Sequence, residues 1–200
     1  MFSEDIETVR DVDCKIKDKT YDKEVIADVD CYGYEFQSVV FSGCRFISCD
    51  MTKTSFYRCR FEKCDLSNCK FIDGYFKECE FSHCKANGAN FGRGVIKQSV
   101  FKSTSLTYGL FSETNFDDCK IADCDMSGVL LSQSVIKRTE LKDVKLIGAE
   151  LFHASIRGLD LSKCDISGIV LSRELSELRG VTVNFEQAAD LAKLLGVIVK

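Results

Sequence analysis

From Phe36 to Leu171 a large apolar residue returns at every fifth position, 28 times in succession without insertion or deletion, and only Ala86 is small. The series opens Phe36, Phe41, Phe46, Met51, Phe56, Phe61 and closes Leu151, Ile156, Leu161, Ile166, Leu171. Twelve of the fifteen phenylalanines stand in this register. An α-helix repeats at 3.6 residues and a strand at 2, so a strict period of five excludes both as the main element. It fits one side of a square coil. Four such units make a turn of twenty residues, and stacked turns pair as parallel strands about 4.8 Å apart. Parallel β connections coil right-handed. The expected fold is an all-β solenoid, a right-handed quadrilateral parallel β-helix, with seven turns spanning roughly 34 Å.

A second register lies two residues before the first: Val39, Cys44, Cys49, Thr54, Cys59, Cys64, Cys69, Gly74, Cys79 and Cys84, then mostly Ser, Thr, Gly, Cys, Val and Ala. Each unit therefore turns one large and one small side chain inward, and its other three positions are polar. The chain has no proline, which leaves every amide free to join a ladder. Residues twenty apart should stack, so Cys44, Cys64 and Cys84 form one internal column and Cys59 and Cys79 another. Beyond residue 120 phenylalanine gives way to Leu and Ile. Ala86 leaves a volume deficit, where repacking or a local bend is expected.

The twelve cysteines read as small buried fillers. No Cys-x-x-Cys occurs and only two histidines are present, so no metal site is expected. His83 and His153 fall on different sides more than three coils apart, with no nucleophile marked beside either. No catalytic or cofactor-binding residue is assigned. Gly88, Gly128, Gly148 and Gly168 recur at multiples of twenty and suit corners with φ > 0. No apolar run is long enough for a membrane span, and MFSEDIETVR lacks the shape of a secretory leader, so a cytoplasmic, reduced protein is expected.

A solenoid must finish its ends. Residues 1–30 hold the register loosely and are acidic, which reads as a cap with one irregular coil. The regular coil occupies 31–172, and 173–200 form a helical cap and tail. Asn184 and Gln187 make a capping box at the start of that helix. Ala188, Leu191, Ala192 and Leu195 lie at helical spacing, and Gly196 is a natural stop. Leu191, Leu194, Leu195, Val197 and Ile198 are the candidate contacts of a homodimer formed through this segment. Ile72, Leu110, Leu130, Phe152 and Val170 project outward on one side and form a candidate surface patch.

Units such as CDLSN and CKFID follow the A/C-[DN]-[LF]-x-x pattern and resemble the pentapeptide-repeat family, whose fold is the quadrilateral β-helix. The tail EQAADLAKLLGVIVK, with HCKANGANF at 83–91, resembles the Qnr-type quinolone-resistance branch. That resemblance implies a non-enzymatic dimer joined through the tail. It also implies binding to DNA gyrase and topoisomerase IV, altered fluoroquinolone sensitivity, and mimicry of duplex DNA. The charges sit uneasily with mimicry. Residues 31–171 carry 18 Lys/Arg against 17 Asp/Glu, and the unbroken register leaves no room for projecting loops. Binding by shape and local contacts, or a scaffold with a non-topoisomerase partner, is the alternative. Direct nucleic-acid binding is not expected.

Overall fold

The computed structural model describes every residue except Asp11 and Lys200. Residues twenty apart pair as parallel strands, with Ile16 opposite Phe36, Tyr21 opposite Phe41 and Ile26 opposite Phe46. The first side is a seven-stranded sheet running from Lys15–Lys17 to Val135–Lys137, and the second a seven-stranded sheet from Thr20–Asp22 to Glu140–Lys142. The third pairs Val25–Ala27 with Arg45–Ile47 and continues as single bridges down to Lys145 and Asp165. The fourth is single bridges throughout, from Asp30 and Asp50 to Glu150 and Val170. The chain is a four-sided parallel β-solenoid with twenty residues per coil.

The single-bridge sides have a local cause. There an Asp or Asn often precedes the central apolar residue, and its Oδ1 accepts the amide two residues on. Asp65 takes Ser67 N–H at 3.1 Å, Asn90 takes Gly92 N–H at 2.9 Å and Asp125 takes Ser127 N–H at 3.0 Å. On these sides the side chain adds a local bond to the turn, while backbone bonds between coils continue, as where Asn68 N–H donates to Asn87 O at 2.9 Å.

The corners use the left-handed region. From Asp18 to Gly168, each residue two positions after a central apolar residue has φ between +48° and +86°, with Lys163 the one exception. Glycine fills only some of these corners; Lys, Arg, Asp, Glu and Ser fill most. None is Val, Ile or Thr, the residues for which this conformation is most strained. Ser103→Val, at φ +48°, should lose about 1–2 kcal/mol, whereas Ser103→Gly should match or exceed the parent. Paired urea melts check this.

Inside, the phenylalanines stack in columns. Phe41, Phe61, Phe81 and Phe101 lie with successive ring centroids 5.0, 4.7 and 4.6 Å apart, and Phe71, Phe91 and Phe111 at 4.9 Å each. No bend marks Ala86: its neighbours pair in register on both sides, Asp65 with Lys85 and Lys85 with Ser105. Phe91 fills the space, with its ring edge-on to Phe81 at 6.3 Å and tilted against Phe76 at 5.6 Å. A void of about 20 Å³ lies lower, where Ile121, Leu131, Ile136 and Leu151 replace rings. Aliphatic side chains pack the middle of a wide square coil less completely than stacked rings do.

The N-terminal cap is a helix, α1 (Phe2–Val9). Phe2 and Ile6 are buried and plug the aromatic core, with Phe2 centred 5.0 Å from Tyr21 and 6.0 Å from Phe36. Asp5 accepts from Lys19 Nζ at 2.9 Å and Tyr21 Oη at 2.8 Å, which pins the helix to the rod. Residues 15–27 pair with the next coil as regular strands rather than as the irregular coil expected before residue 31. Ile16, Tyr21 and Ile26 already obey the register, so the ladder starts with the strand that opens at Lys15.

Candidate functional site

The C-terminal end is built differently from the rest. After Leu171 the coil stops, yet its edge groups still need partners. In the body of the rod each fourth-corner amide donates to the coil below, as Gln133 N–H does to Phe152 O at 2.8 Å. At His153 no coil lies below. Its amide donates instead to Glu177 Oε1 at 2.6 Å, and Glu177 Oε2 accepts Ser172 Oγ–H at 2.9 Å. Glu177 sits in a 3-10 turn, Ser176–Leu178, entered through left-handed Leu175. Its side chain is buried. Burial works against the charged carboxylate, but the donors outweigh it and hold its pKa below the usual value. Next, residues 179–183 run under the first two sides: Gly180 O accepts Gly158 N–H at 3.0 Å and Thr182 O accepts Leu161 N–H at 2.8 Å.

The second helix, α2 (Phe185–Leu194), starts with the capping box read from the sequence: Asn184 Oδ1 accepts Gln187 N–H at 2.9 Å and Gln187 Oε1 accepts Asn184 N–H at 2.8 Å. Gln187 has a second task. Its Nε2 donates to Leu161 O at 2.9 Å and Cys164 O at 2.7 Å, carbonyls that a further coil would have satisfied. The inward face of α2 therefore runs through Gln187 and Leu191, not through Ala188, Ala192 and Leu195. Bare carbonyls form the floor, so the helix turns an amide donor toward them.

This leaves an apolar stripe in solvent. Phe185, Ala188, Ala192 and Leu195 follow one helical face; Phe185 is 88% and Leu195 70% exposed, Ala188 is exposed, and Ala192 between them is half-buried. Leu194, Val197 and Ile198 are exposed beside it, and Ile198 is 84% exposed. Leu191 is the one predicted contact that is partly buried against the core. Lys200 lies outside the described residues. Between α2 and the last coil runs a groove of about 360 Å³, lined by Ile166, Ile169, Leu191 and Leu194 with Asp165, Glu186 and Asp190 at its rim.

The lateral patch is less coherent. Leu110 and Leu130 stack as neighbours, but Glu150 separates Leu130 from Val170. Gly92, Ser112 and Ser132 stand between Ile72 and Phe152 in their column. Tyr108 joins Leu110 at the corner and lies over Gly128, where a Cβ would meet its ring at 2.7 Å. Sequence reading missed this exposed tyrosine; an aromatic one coil above a bare glycine is the signal that could have found it.

The remaining surface is balanced along the stack. The third-side column reads Arg45, Asp65, Lys85, Ser105, Asp125, Lys145, Asp165, mostly alternating in sign one coil apart. Arg93 makes a two-pronged pair with Asp73 directly above it, at 2.8 and 3.0 Å. An open depression of about 520 Å³ on this side is lined by Arg45, Asp65, Ser67, Asn68 and Lys70 and carries no histidine. His83 and His153 occupy separate left-handed corners.

All twelve cysteines are unbridged and only Cys14 is partly exposed. The thiols reach across coils: Cys44 donates to Tyr21 O, Cys59 to Phe36 O, Cys64 to Phe41 O and Cys84 to Phe61 O, all at 3.2–3.3 Å. Thr54 and Thr114 do the same at 2.8 and 2.9 Å. The small register is thus a hydrogen-bonding position as well as a filler. Burial pushes the Cys69 thiol up to about 12 and Cys124 up to about 11, which disfavours the thiolate that nucleophiles and metal ligands need. Among the described residues no group of three or more His, Cys, Asp or Glu is placed to hold a metal ion. No helix is long and apolar enough to cross a membrane. A thiol reagent should label Cys14 quickly in the native protein and the other eleven only after denaturant is added; fast labelling of several would contradict this packing.

Two family models match the chain, the pentapeptide repeat region over residues 54–114 and pentapeptide repeats over residues 97–133. No curated protein matches it. Among solved structures, a trypsin-treated variant of QnrB1, a plasmid-mediated fluoroquinolone resistance protein, is 19% identical, with a TM-score of 0.43 over 93% of this chain and 98% of that one. HetL, a pentapeptide repeat protein involved in heterocyst differentiation regulation from the cyanobacterium Nostoc, is 12% identical, with a TM-score of 0.27 over 90% of this chain and 93% of that one. A pentapeptide repeat protein from the Arabidopsis thaliana thylakoid lumen is 20% identical, with a TM-score of 0.28 over 65% of this chain and 75% of that one.

Proposed function

Starting from a chain that is a pentapeptide-repeat β-solenoid, we propose that it is a non-enzymatic binding scaffold that works as a homodimer joined at its C-terminal end. The observation that carries this reading is the exposed apolar face of Phe185, Ala188 and Leu195. A helix whose only task was to cap the rod would not present these side chains to water. The interior supports a scaffold over a catalyst, because stacked rings fill the rod where an active site would need a cavity.

The partner to which the reading points is a type II topoisomerase, DNA gyrase or topoisomerase IV, with fluoroquinolone sensitivity as the outcome. This rests on the likeness of the tail EQAADLAKLLGVIVK to the Qnr-type branch. The alternating columns supply no broad anionic face, so contact would be by shape and local groups rather than by imitating the charge of DNA. That same balance favours a second reading, a scaffold for a protein other than a topoisomerase.

Gyrase supercoiling with a fluoroquinolone, run with the parent and with the Phe185→Glu, Leu195→Asp double variant, separates these. The parent should restore supercoiling. The variant should be monomeric by light scattering and restore it at least about tenfold less well, since a dimer presents two linked contacts. Neither rescue nor inhibition at micromolar protein removes the topoisomerase. A variant that stays dimeric removes this interface.

A further inference from the structure

The last coil leaves one strand position vacant. On the third side, Leu146 N–H donates to Asp165 O at 2.7 Å and Gly148 N–H to Ser167 O at 2.8 Å, while Ala149 O accepts Val170 N–H at 2.9 Å. One coil further on, the equivalent groups are Ile166 N–H, Gly168 N–H and Ile169 O. None of the three has a hydrogen-bond partner among the described residues. Residues 179–183 serve the first two sides and Glu177 serves the fourth. Gln187 reaches the third only at Cys164 O. The vacancy opens into the groove between the last coil and α2.

An occupant must be extended, to accept from two amides and donate to one. It needs aliphatic side chains for the walls made by Ile166, Ile169, Leu191 and Leu194. It also needs positive charge for Asp165, Glu186 and Asp190 at the rim. Val197, Ile198 and Val199 meet the first two requirements. They are β-branched, they match the three-residue strands of the rod in length, and they have no secondary structure of their own. Lys200 follows them in the sequence. In the single chain all three are exposed and none lines the groove.

We propose that the segment Val197–Val199 of a second copy adds as a strand to the edge at Ile166–Ile169, and that the two copies exchange these segments reciprocally. Such an exchange is the self-complementary contact a two-fold dimer requires. It rests on the homodimer reading above and specifies what holds it together. The apolar stripe of α2 then packs beside the exchanged strands, and the edge amides gain the carbonyl partners the chain does not supply for itself.

Amide hydrogen exchange with light scattering, on the full chain and on Ile198→Asp, tests this. Ile198 is exposed, so the variant keeps its fold. The parent should be a dimer in which the Ile166 and Gly168 amides exchange at least about 100-fold more slowly than in the variant, and protection should fall on dilution. A dimer whose two amides exchange as fast as in the variant overturns the strand exchange and leaves the dimer standing. Protection that persists in a monomer at all dilutions shows the chain filling its own groove and overturns it too. A monomer with unprotected amides overturns both the exchange and the dimer.

Discussion

Phe81→Ala is expected to destabilise the rod by about 3–5 kcal/mol, the largest loss expected of any single change in the stacked core. Phe81 lies between Phe61 and Phe101 with centroids 4.7 and 4.6 Å away and rings within 2° of parallel. It is also edge-on to Phe91, the ring that fills the space at Ala86. Removing it takes one member from a four-ring column and takes support from the ring beside the smallest residue of the register. The coil cannot collapse into the gap, because backbone ladders fix its twenty-residue circumference. The corresponding truncation in the aliphatic half, Ile136→Ala, should fall toward the lower end of about 2–5 kcal/mol, since it removes fewer buried atoms and a void already lies there. Urea unfolding of both variants checks the contrast. Equal losses would mean that the aromatic columns carry no special share of stability.

Glu177→Ala is expected to open the C-terminal end. The substitution strips a charged acceptor from the His153 amide and the Ser172 hydroxyl at once, and hydrogen bonds to charged groups are worth about 1.5–3 kcal/mol each. The pH dependence has a definite sign. The folded-state pKa of Glu177 lies below its unfolded value, so its contribution is complete above the ordinary Glu range and is lost as pH falls through the folded value. Parent stability should therefore decline on acidification below about pH 4.5, more steeply than that of Glu177→Ala, which has no such carboxylate to protonate. Exchange of the His153 amide should quicken in the variant at neutral pH. Unchanged exchange there would show that the end is held by α2 alone.

The rod itself was legible because a period of five admits one answer. The inward pair, the twenty-residue stacking and the cysteine columns follow from it, and the Asn184–Gln187 box is legible separately, from its capping motif. Other features were hidden for physical reasons. The left-handed corner leaves only a negative mark, the absence of Val, Ile and Thr two positions after each central residue. Glu177 acts where the periodicity has ended, as one side chain standing in for a missing carbonyl, and no spacing rule points to such a residue. The buried face of α2 is not legible from apolar spacing, which presumes an apolar floor. The last coil offers the carbonyls of Leu161 and Cys164 instead, and Gln187 answers them. The start of the ladder at Lys15 was obscured by the acidic composition around it.

In the proposed dimer one end of each rod is closed by its own chain and the other is completed by a second copy. Small-angle X-ray scattering tests it most directly, because one profile reports both mass and length. With strand levels about 4.8 Å apart and a cap at each end, a single rod spans roughly 45–50 Å and two joined end to end roughly 90–100 Å. The expected particle has twice the 22.5 kDa chain mass and a longest dimension near the larger figure. A particle of single-chain mass, or one of double mass no longer than a single rod, would contradict it.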